Sequence, residues 1–505
     1  MTLGGIVNTT SGPVQGIEHD SVTVFRGIPF AEAPVGALRL KPPVARAPWT
    51  ATLVAEHAGP LAPQNPSPLE SMLGAGQPPI GDDCLSLNIW TPAADGAKRP
   101  VLFWIHGGGF VTGAGSTPWY DGTKFATQHD VVVVTINYRL GALGFLHLAD
   151  LAGPEWEGSG NLGVLDQAFA LKWTSENIAA FGGDPANITI FGESAGGMSV
   201  GTQLGLPAAT GLFKRAIAQS GAAGHVHDRE TATAVARRFL EILGVDPKDV
   251  AKLQELPTAD ILAAQEQVNA ERSDIGGAGL PFMPCVDGTT LPVGPQQAVK
   301  DGRARGVDLL VGTNLDETTL FTLMDPSFSS FDDAKLAKRF GGFFGEERAA
   351  EALDAYRKDR GDATPGDVYN AALTDRVFRV PSVRLANAQQ PNGSTYVYLF
   401  TWQSTAFDGK LRACHALEIP FVWDNLDQTG VTFLTGPITD DMRHLATTMN
   451  EAWAAFARTG NPSTSTLAAW PKWDPETRPT MVIDTDSAVE LDPAGHEIEV
   501  WSELL

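Results

Sequence analysis

Residues Gly192-Glu193-Ser194-Ala195-Gly196 constrain the fold of this chain more than any other segment. They follow Asn187-Ile188-Thr189-Ile190-Phe191, which reads as a short buried strand, and precede a stretch from Met198 through Val200 and Leu204 with helical apolar spacing. A serine on so sharp a strand-to-helix turn is held out at the top of a sheet. The flanking glycines matter because a Cβ there would clash with the turn and block an approaching substrate. With 53 glycines in 505 residues, Gly-x-Ser-x-Gly arises by chance about 0.3 times from composition alone. The strand–turn–helix setting therefore carries the inference, together with whatever partners the rest of the chain supplies.

A serine hydroxyl is a poor nucleophile at neutral pH and needs an imidazole to take its proton. The imidazole in turn needs a carboxylate to fix its tautomer. When the serine sits on a turn of this kind, the order along the chain is nucleophile, acid, histidine. Of the histidines beyond Ser194, His415 is the best placed, in a loop just past the strand-like run Tyr396-Val397-Tyr398-Leu399-Phe400. His225 and His227 stand one residue apart in a polar segment; with no further ligand cluster nearby they read as surface residues and not as a metal site. His444 and His496 lie in polar contexts and read as solvated. The acid should follow a strand between Ser194 and His415. Val307–Gly312 is such a strand, and either Asp316 or Glu317 beyond it fits.

The continuous apolar run Val101-Leu102-Phe103-Trp104-Ile105 reads as a strand buried on both faces. It ends in His106-Gly107-Gly108-Gly109-Phe110, a loop whose N–H groups can converge on an anion with no side chain in the way. A nucleotide phosphate loop would need Gly-Lys-Ser/Thr or Gly-x-Gly-x-x-Gly opening a helix, and neither is present.

The chain resembles the type-B carboxylesterases (the esterase, lipase and cholinesterase family), most of all their bacterial p-nitrobenzyl esterase group. The motifs that carry the resemblance are spread nearly end to end: Phe25-Arg26-Gly27-Ile28-Pro29-Phe30-Ala31-Glu32-Ala33-Pro34-Val35-Gly36, Asp83-Cys84-Leu85-Ser86-Leu87-Asn88, Asn137-Tyr138-Arg139, Gly160-Asn161-Leu162-Gly163, the stretch 177–197, and Ala455-Phe456-Ala457-Arg458-Thr459-Gly460-Asn461-Pro462. The resemblance implies an α/β-hydrolase fold: a large, mostly parallel central sheet with helices on both faces and a small N-terminal antiparallel sheet. It makes Ser194 the nucleophile, His415 the base and Glu317 the acid, with oxyanion donors at the N–H groups of Gly108, Gly109 and Ala195. It places Glu193 as a source of negative potential beside the base, and Ser220 and Glu418 behind the histidine loop. Leu280, Phe282, Leu320 and Phe321 match positions lining the acyl and alcohol pockets, although apolar residues near a cleft pack behind it about as often. Arg39 with Asp82, and Arg139 with Asp166, match structural ion pairs.

Three departures stand out. Ala62 occupies the position where animal members place a cysteine partner for Cys84, so that disulfide cannot form. The segment between Gln64 and Asp83 holds no aromatic residue to receive a quaternary ammonium, so choline esters are not expected substrates. Thr318 follows Glu317 where the family usually has glycine, which implies a slight shift of that loop.

Strand-like runs at 131–136, 216–219 and 481–483 alternate with helical stretches such as 162–181, as a parallel sheet covered on both faces requires. The substrate cleft then belongs at the carboxyl ends of the strands. No linker or repeat divides residues 1–505, which read as one domain, and the Pro/Gly-rich segment 64–81 reads as a surface loop suited to gating the cleft. A net charge of −23 argues against nucleic acid and anionic membrane as partners. Three cysteines, Cys84, Cys285 and Cys414, suggest a reducing compartment. No signal peptide or spanning segment is visible, so the expectation is a cytoplasmic monomer or small homo-oligomer. The reaction expected is two-step acyl transfer from a small-molecule ester to water, without cofactor or metal. Amides, carbamates or thioesters are the alternative substrates for the same triad. A non-catalytic interaction protein is disfavoured because every part of the machinery is present.

Overall fold

The structure, a computed structural model, describes residues 2–19, 21–67, 78–272, 280–323, 325, 328, 330–358, 360–467 and 469–501. Its strands, in chain order, are β1 (Thr2–Asn8), β2 (Pro13–His19), β3 (Val22–Pro29), β4 (Leu53–Val54), β5 (Ser86–Thr91), β6 (Arg99–Ile105), β7 (Val132–Ile136), β8 (Gly183–Glu193), β9 (Arg215–Gln219), β10 (Asp308–Asn314), β11 (Thr395–Phe400), β12 (Pro479–Ile483) and β13 (Ala488–Leu491). They make one sheet in the order β1-β2-β3-β5-β7-β6-β8-β9-β10-β11-β12-β13, with β4 paired on β2. From β7 to β12 every neighbouring pair is parallel. The β1–β5 end forms an antiparallel edge, and β13 closes the other side antiparallel.

The residue pattern explains the two cores. Successive side chains on a strand point to opposite faces. Val101, Phe103 and Ile105 of β6 join Val132, Val134, Ile188 and Ile190 in one core, while Leu102 and Trp104 join Val133, Phe191 and Trp423 in the other. Because both faces are covered, all seven residues of β6 are buried, as its unbroken apolar run requires. The expected strands all form, several of them longer than their apolar runs. β8 begins at Gly183, well before Asn187, because Arg99 of β6 pairs with Gly183. The helical stretch from Leu162 divides into an α-helix to Asn177 and a 3₁₀ turn, Ile178–Phe181, stopped by Gly182 in the left-handed region.

Parallel strands all end on the same side, so the segments after β6, β8, β10 and β11 open onto one edge of the sheet. Those segments carry the tri-glycine loop, Ser194, Glu317 and His415. The proposed gate falls largely outside the described residues, since 68–77 are not among them. Its described flank is anchored, with Gln64 Nε2 donating to the carbonyls of Ala62 and Gly113 at 3.0 Å each. Cys84, Cys285 and Cys414 are free thiols, all buried. Among the described residues no helix is long and apolar enough to cross a membrane.

The ion pairs differ in kind. Arg39, itself buried, lies 3.7 Å from the partly exposed Asp82. Arg139 is forked onto Asp166 at 2.8 and 2.6 Å, and the carboxylate has no solvent exposure. Replacing Asp166 with alanine leaves a buried guanidinium unpaired and is expected to destabilise the fold by about 3–5 kcal/mol. The double variant Arg139→Met/Asp166→Leu should recover most of that loss. Urea unfolding midpoints measure both, and equal losses in the single and double variants would assign the effect to packing and not to charge.

Candidate active site

Ser194 sits at φ +57°, ψ −125°, a strained backbone conformation that exposes the side chain where β8 turns into the helix Ala195–Gly205. The strain is held from both sides, by the Ser194 N–H on the Gln219 carbonyl (3.0 Å) and by the Met198 N–H on the Ser194 carbonyl (2.8 Å). The turn lies so close to β6 that a Cβ on Gly196 would stand 2.0 Å from the Ile105 carbonyl oxygen. That contact is what makes the second glycine obligatory.

The tri-glycine loop packs against the same turn, with a Cβ on Gly107 falling 3.1 Å from Ser194 Cβ. Gly108 and Gly109 take φ +105° and +61°, values that favour glycine, and the Gly108 carbonyl accepts the N–H groups of Val111 and Thr112. His106 is buried and stacks on Tyr138 with ring centroids 4.4 Å apart, and burial lowers its pKa to about 4. The Tyr138 hydroxyl donates to the His106 carbonyl at 2.8 Å. Among the described residues, the N–H groups of Gly108, Gly109 and Ala195 donate to no protein acceptor. Three unspent donors on two turns that pack together are a set that can receive a developing oxyanion.

The loops after β10 and β11 are zipped together. Asp316 N–H donates to Ala413 O (2.9 Å), His415 N–H to Glu317 O (3.1 Å), and Asn314 Nδ2 to Cys414 O (2.7 Å). This brings His415 Nδ1 to 2.7 Å from Glu317 Oε2, while Glu317 Oε1 accepts the Asn314 N–H at 2.8 Å. The geometry separates the two carboxylates that spacing left open: Asp316 faces Arg412 at 3.9 Å instead. Thr318 takes φ −80°, where glycine is not needed, and its hydroxyl donates to the Asn370 carbonyl at 2.8 Å. The substitution is therefore accommodated with Glu317 still on the imidazole.

Glu193 reaches the other ring nitrogen, with Oε1 3.2 Å from His415 Nε2 but off the line of a hydrogen bond. Among the described residues no hydrogen bond joins His415 to the Ser194 hydroxyl. Such bonds are commonly long in unliganded sites and tighten with substrate. Burial alone would lower the His415 pKa, but Glu193, Glu317 and Glu418 together raise it to about 9. Burial likewise pushes the Glu193 carboxyl well above its usual range and Glu418 up to about 6.

Of the residues placed behind the histidine loop, Glu418 accepts from Gln219 Nε2 (3.1 Å) and Asn314 Nδ2 (2.7 Å), and Trp453 Nε1 steadies Gln219 Oε1 at 3.0 Å. Ser220 is a correction: its hydroxyl is buried with no hydrogen-bond partner, and only its N–H is used, on Gly312 O at 2.8 Å. The hold on the loop passes through Gln219 and Asn314, which sequence reasoning missed. Both end a parallel strand, the signal that could have found them.

The four pocket candidates separate by exposure. Phe321 is 42 % exposed with its ring 5.2 Å from that of His415. Leu280 is half-buried beside Gly109. Leu320 packs half-buried on the core, and Phe282 lies wholly inside it against Phe239. His225 and His227 are a second correction, since neither is a surface residue. His225 is half-buried between the Ala222 and Val377 carbonyls (3.1 and 2.8 Å), and buried His227 reaches the Leu280 carbonyl at 2.8 Å. Cys414 is buried, which raises its thiol pKa far above the range of a working thiolate.

Residues 4–501 match the model of the Carboxylesterase family. The chain is 41 % identical to a para-nitrobenzyl esterase of Bacillus subtilis (strain 168), covering 97 % of each sequence. It is 37 % identical to a phenmedipham hydrolase of Pseudarthrobacter oxydans over 96 % of each. Among solved structures, a Geobacillus stearothermophilus carboxylesterase superposes with a TM-score of 0.88 at 42 % identity, over 98 % of this chain and all of that one.

A base must be neutral to accept a serine proton, so with His415 in that role kcat/KM should fall as pH drops through the His415 pKa. Carboxylates favour the imidazolium and so raise that pKa. Glu193→Gln removes one of them, and the acid limb of the kcat/KM profile should move to lower pH. A limb that stays in place would show that Glu193 is protonated throughout and exerts no field on the imidazole.

Proposed function

The chain belongs to the carboxylesterase family and is a serine carboxylesterase; from that premise we propose that Ser194, His415 and Glu317 are its triad, working through an acyl-enzyme on small to medium apolar or aromatic esters. The observation that carries the reading is the 2.7 Å contact of Glu317 on His415 Nδ1, at the sheet edge where Ser194 projects. That contact puts the proton on Nδ1 and leaves Nε2 free to take the one from Ser194.

Ser194 Oγ attacks the ester carbonyl as its proton passes to His415 Nε2. The negative charge forming on the carbonyl oxygen is met by the N–H groups of Gly108, Gly109 and Ala195. Imidazolium then returns the proton to the departing alcohol. In the second half, water loses a proton to the same nitrogen and attacks the acyl carbon, and collapse restores Ser194. Losing one oxyanion donor of this type costs about 3–4 kcal/mol of transition-state stabilisation. Exposed Phe321 and half-buried Leu280 give the mouth an apolar lining, which supports the preference for apolar or aromatic groups.

Hydrolysis of p-nitrophenyl esters from acetate to octanoate tests the reading, with wild type against Ser194→Ala and Glu317→Gln. Ser194→Ala should fall to background, and Glu317→Gln should lose about 10⁴-fold in kcat, the penalty of a wrong tautomer. Denaturing mass spectrometry of a rapidly quenched wild-type reaction should find the acyl group on Ser194. Wild-type turnover of amides, carbamates or thioesters with no ester turnover would reassign the substrate. Ester turnover surviving in Ser194→Ala would overturn the triad.

A further inference from the structure

Three consecutive residues outside the triad converge on it. They belong to a five-residue π-turn, Asp375–Arg379, set between the helices Pro365–Thr374 and Val380–Gln389. Single π-turns inside α-helices mark functional sites more often than chance, because the extra residue re-aims its neighbours. Here the Phe378 ring, 4 % exposed, lies 4.9 Å from the imidazole of His415. Arg379 Nη2 donates to the Leu315 carbonyl at 3.0 Å, two residues before Glu317. The turn therefore touches the base through one residue and the acid loop through the next.

The third residue explains what holds the turn. The Val377 carbonyl would normally accept the N–H four residues on, but position 381 is proline and has none. A partly buried carbonyl that loses its usual helical donor favours another one. His225, on the segment that follows β9, supplies one with Nε2 at 2.8 Å. Its Nδ1 faces a second carbonyl, Ala222 O, at 3.1 Å. Burial lowers the His225 pKa, so the ring is neutral and has a single N–H to give. We assign that N–H to Nε2, the nitrogen with the shorter contact.

We propose that His225 is a positioning residue for His415: by donating to the Val377 carbonyl it fixes the π-turn, and the turn sets Phe378 against the imidazole. The proposal rests on the triad reading above. Glu317 holds His415 through Nδ1, which fixes one edge of the ring, and the Phe378 face limits how far the ring swings about that edge. Since Nε2 lies beside Glu193, the ring position that reaches Ser194 has to be selected against a competing one.

A double-mutant cycle tests this with p-nitrophenyl acetate, using His225→Phe, Phe378→Leu and the pair. His225→Phe removes the donor and should lower kcat about 10- to 100-fold with KM changed less than about 2-fold, as a small misplacement of a reacting group does. Phe378→Leu should give a loss of similar size. Because both act through one contact, the double variant should lose no more than the worse single variant. His225→Gln, which keeps an N–H donor, should recover most of kcat, and this arm remains decisive if His225→Phe does not fold. Multiplicative losses in the double variant, a rise in KM equal to the fall in kcat, or no rescue by glutamine would each overturn the proposal. Failure of the triad reading is separately visible, because Ser194→Ala would then remain active whatever the cycle shows.

Discussion

The contact between Glu317 Oε2 and His415 Nδ1 is the constraint around which the site is arranged. A carboxylate with no solvent exposure is tolerated only when its oxygens are hydrogen-bonded or paired. Glu317 meets that condition with one oxygen on the imidazole and the other on the Asn314 N–H. Both partners depend on β10 and β11 lying side by side and parallel, Asn314 opposite Phe400, so that the two loops leave the sheet together. The register of two strands thus sets a distance between residues 98 positions apart. Even the strain at Ser194 belongs to the same scheme, because the Gln219 carbonyl that holds it ends the strand between β8 and β10.

What the sequence made legible follows from the same physics. Parallel strands buried on both faces read as continuous apolar runs, and a serine at a strand end between close-packed glycines has little other use. Those signals located the sheet, the elbow and the tri-glycine loop. Asp316 and Glu317 could not be separated by their residues alone, because they differ by one position in a loop. The choice is made by the backbone bonds to Ala413 and His415, which no local pattern announces. Gln219 and Asn314 were missed because a polar residue at a strand end is ordinarily solvated. Here the histidine loop covers them. His225 and His227 looked solvated for a related reason: their neighbours are polar, but the acceptors that bury them lie more than fifty and one hundred and fifty residues away.

Proline 381 shows how a local break recruits a distant group. Inside a helix it removes one donor and leaves one carbonyl without its usual partner. A fold can answer with water, with a side chain, or by bending. In this chain an imidazole from another segment answers, and the π-turn beside it carries an aromatic ring to His415. Such a dependence is invisible to propensity, which reads the proline only as a helix weakness.

The three carboxylates around His415 raise a question of sign. A pKa of about 9 makes the imidazole a reluctant base in water's terms, since at neutral pH much of it would hold a proton already. Yet the same negative field favours the imidazolium that the proposed triad forms when Ser194 gives up its proton, and it acts in a buried site where charges interact strongly. An interaction that strengthens as charge develops accelerates the step; one present equally before and after does not. In the proposed triad Glu317, held on Nδ1, orients the ring and stabilises the cation. Glu193 and Glu418 carry raised pKa values themselves, chiefly from burial, and His415 acts to lower both. The charge of those two groups and that of the imidazole are thus set together, each favouring the other's ionised form.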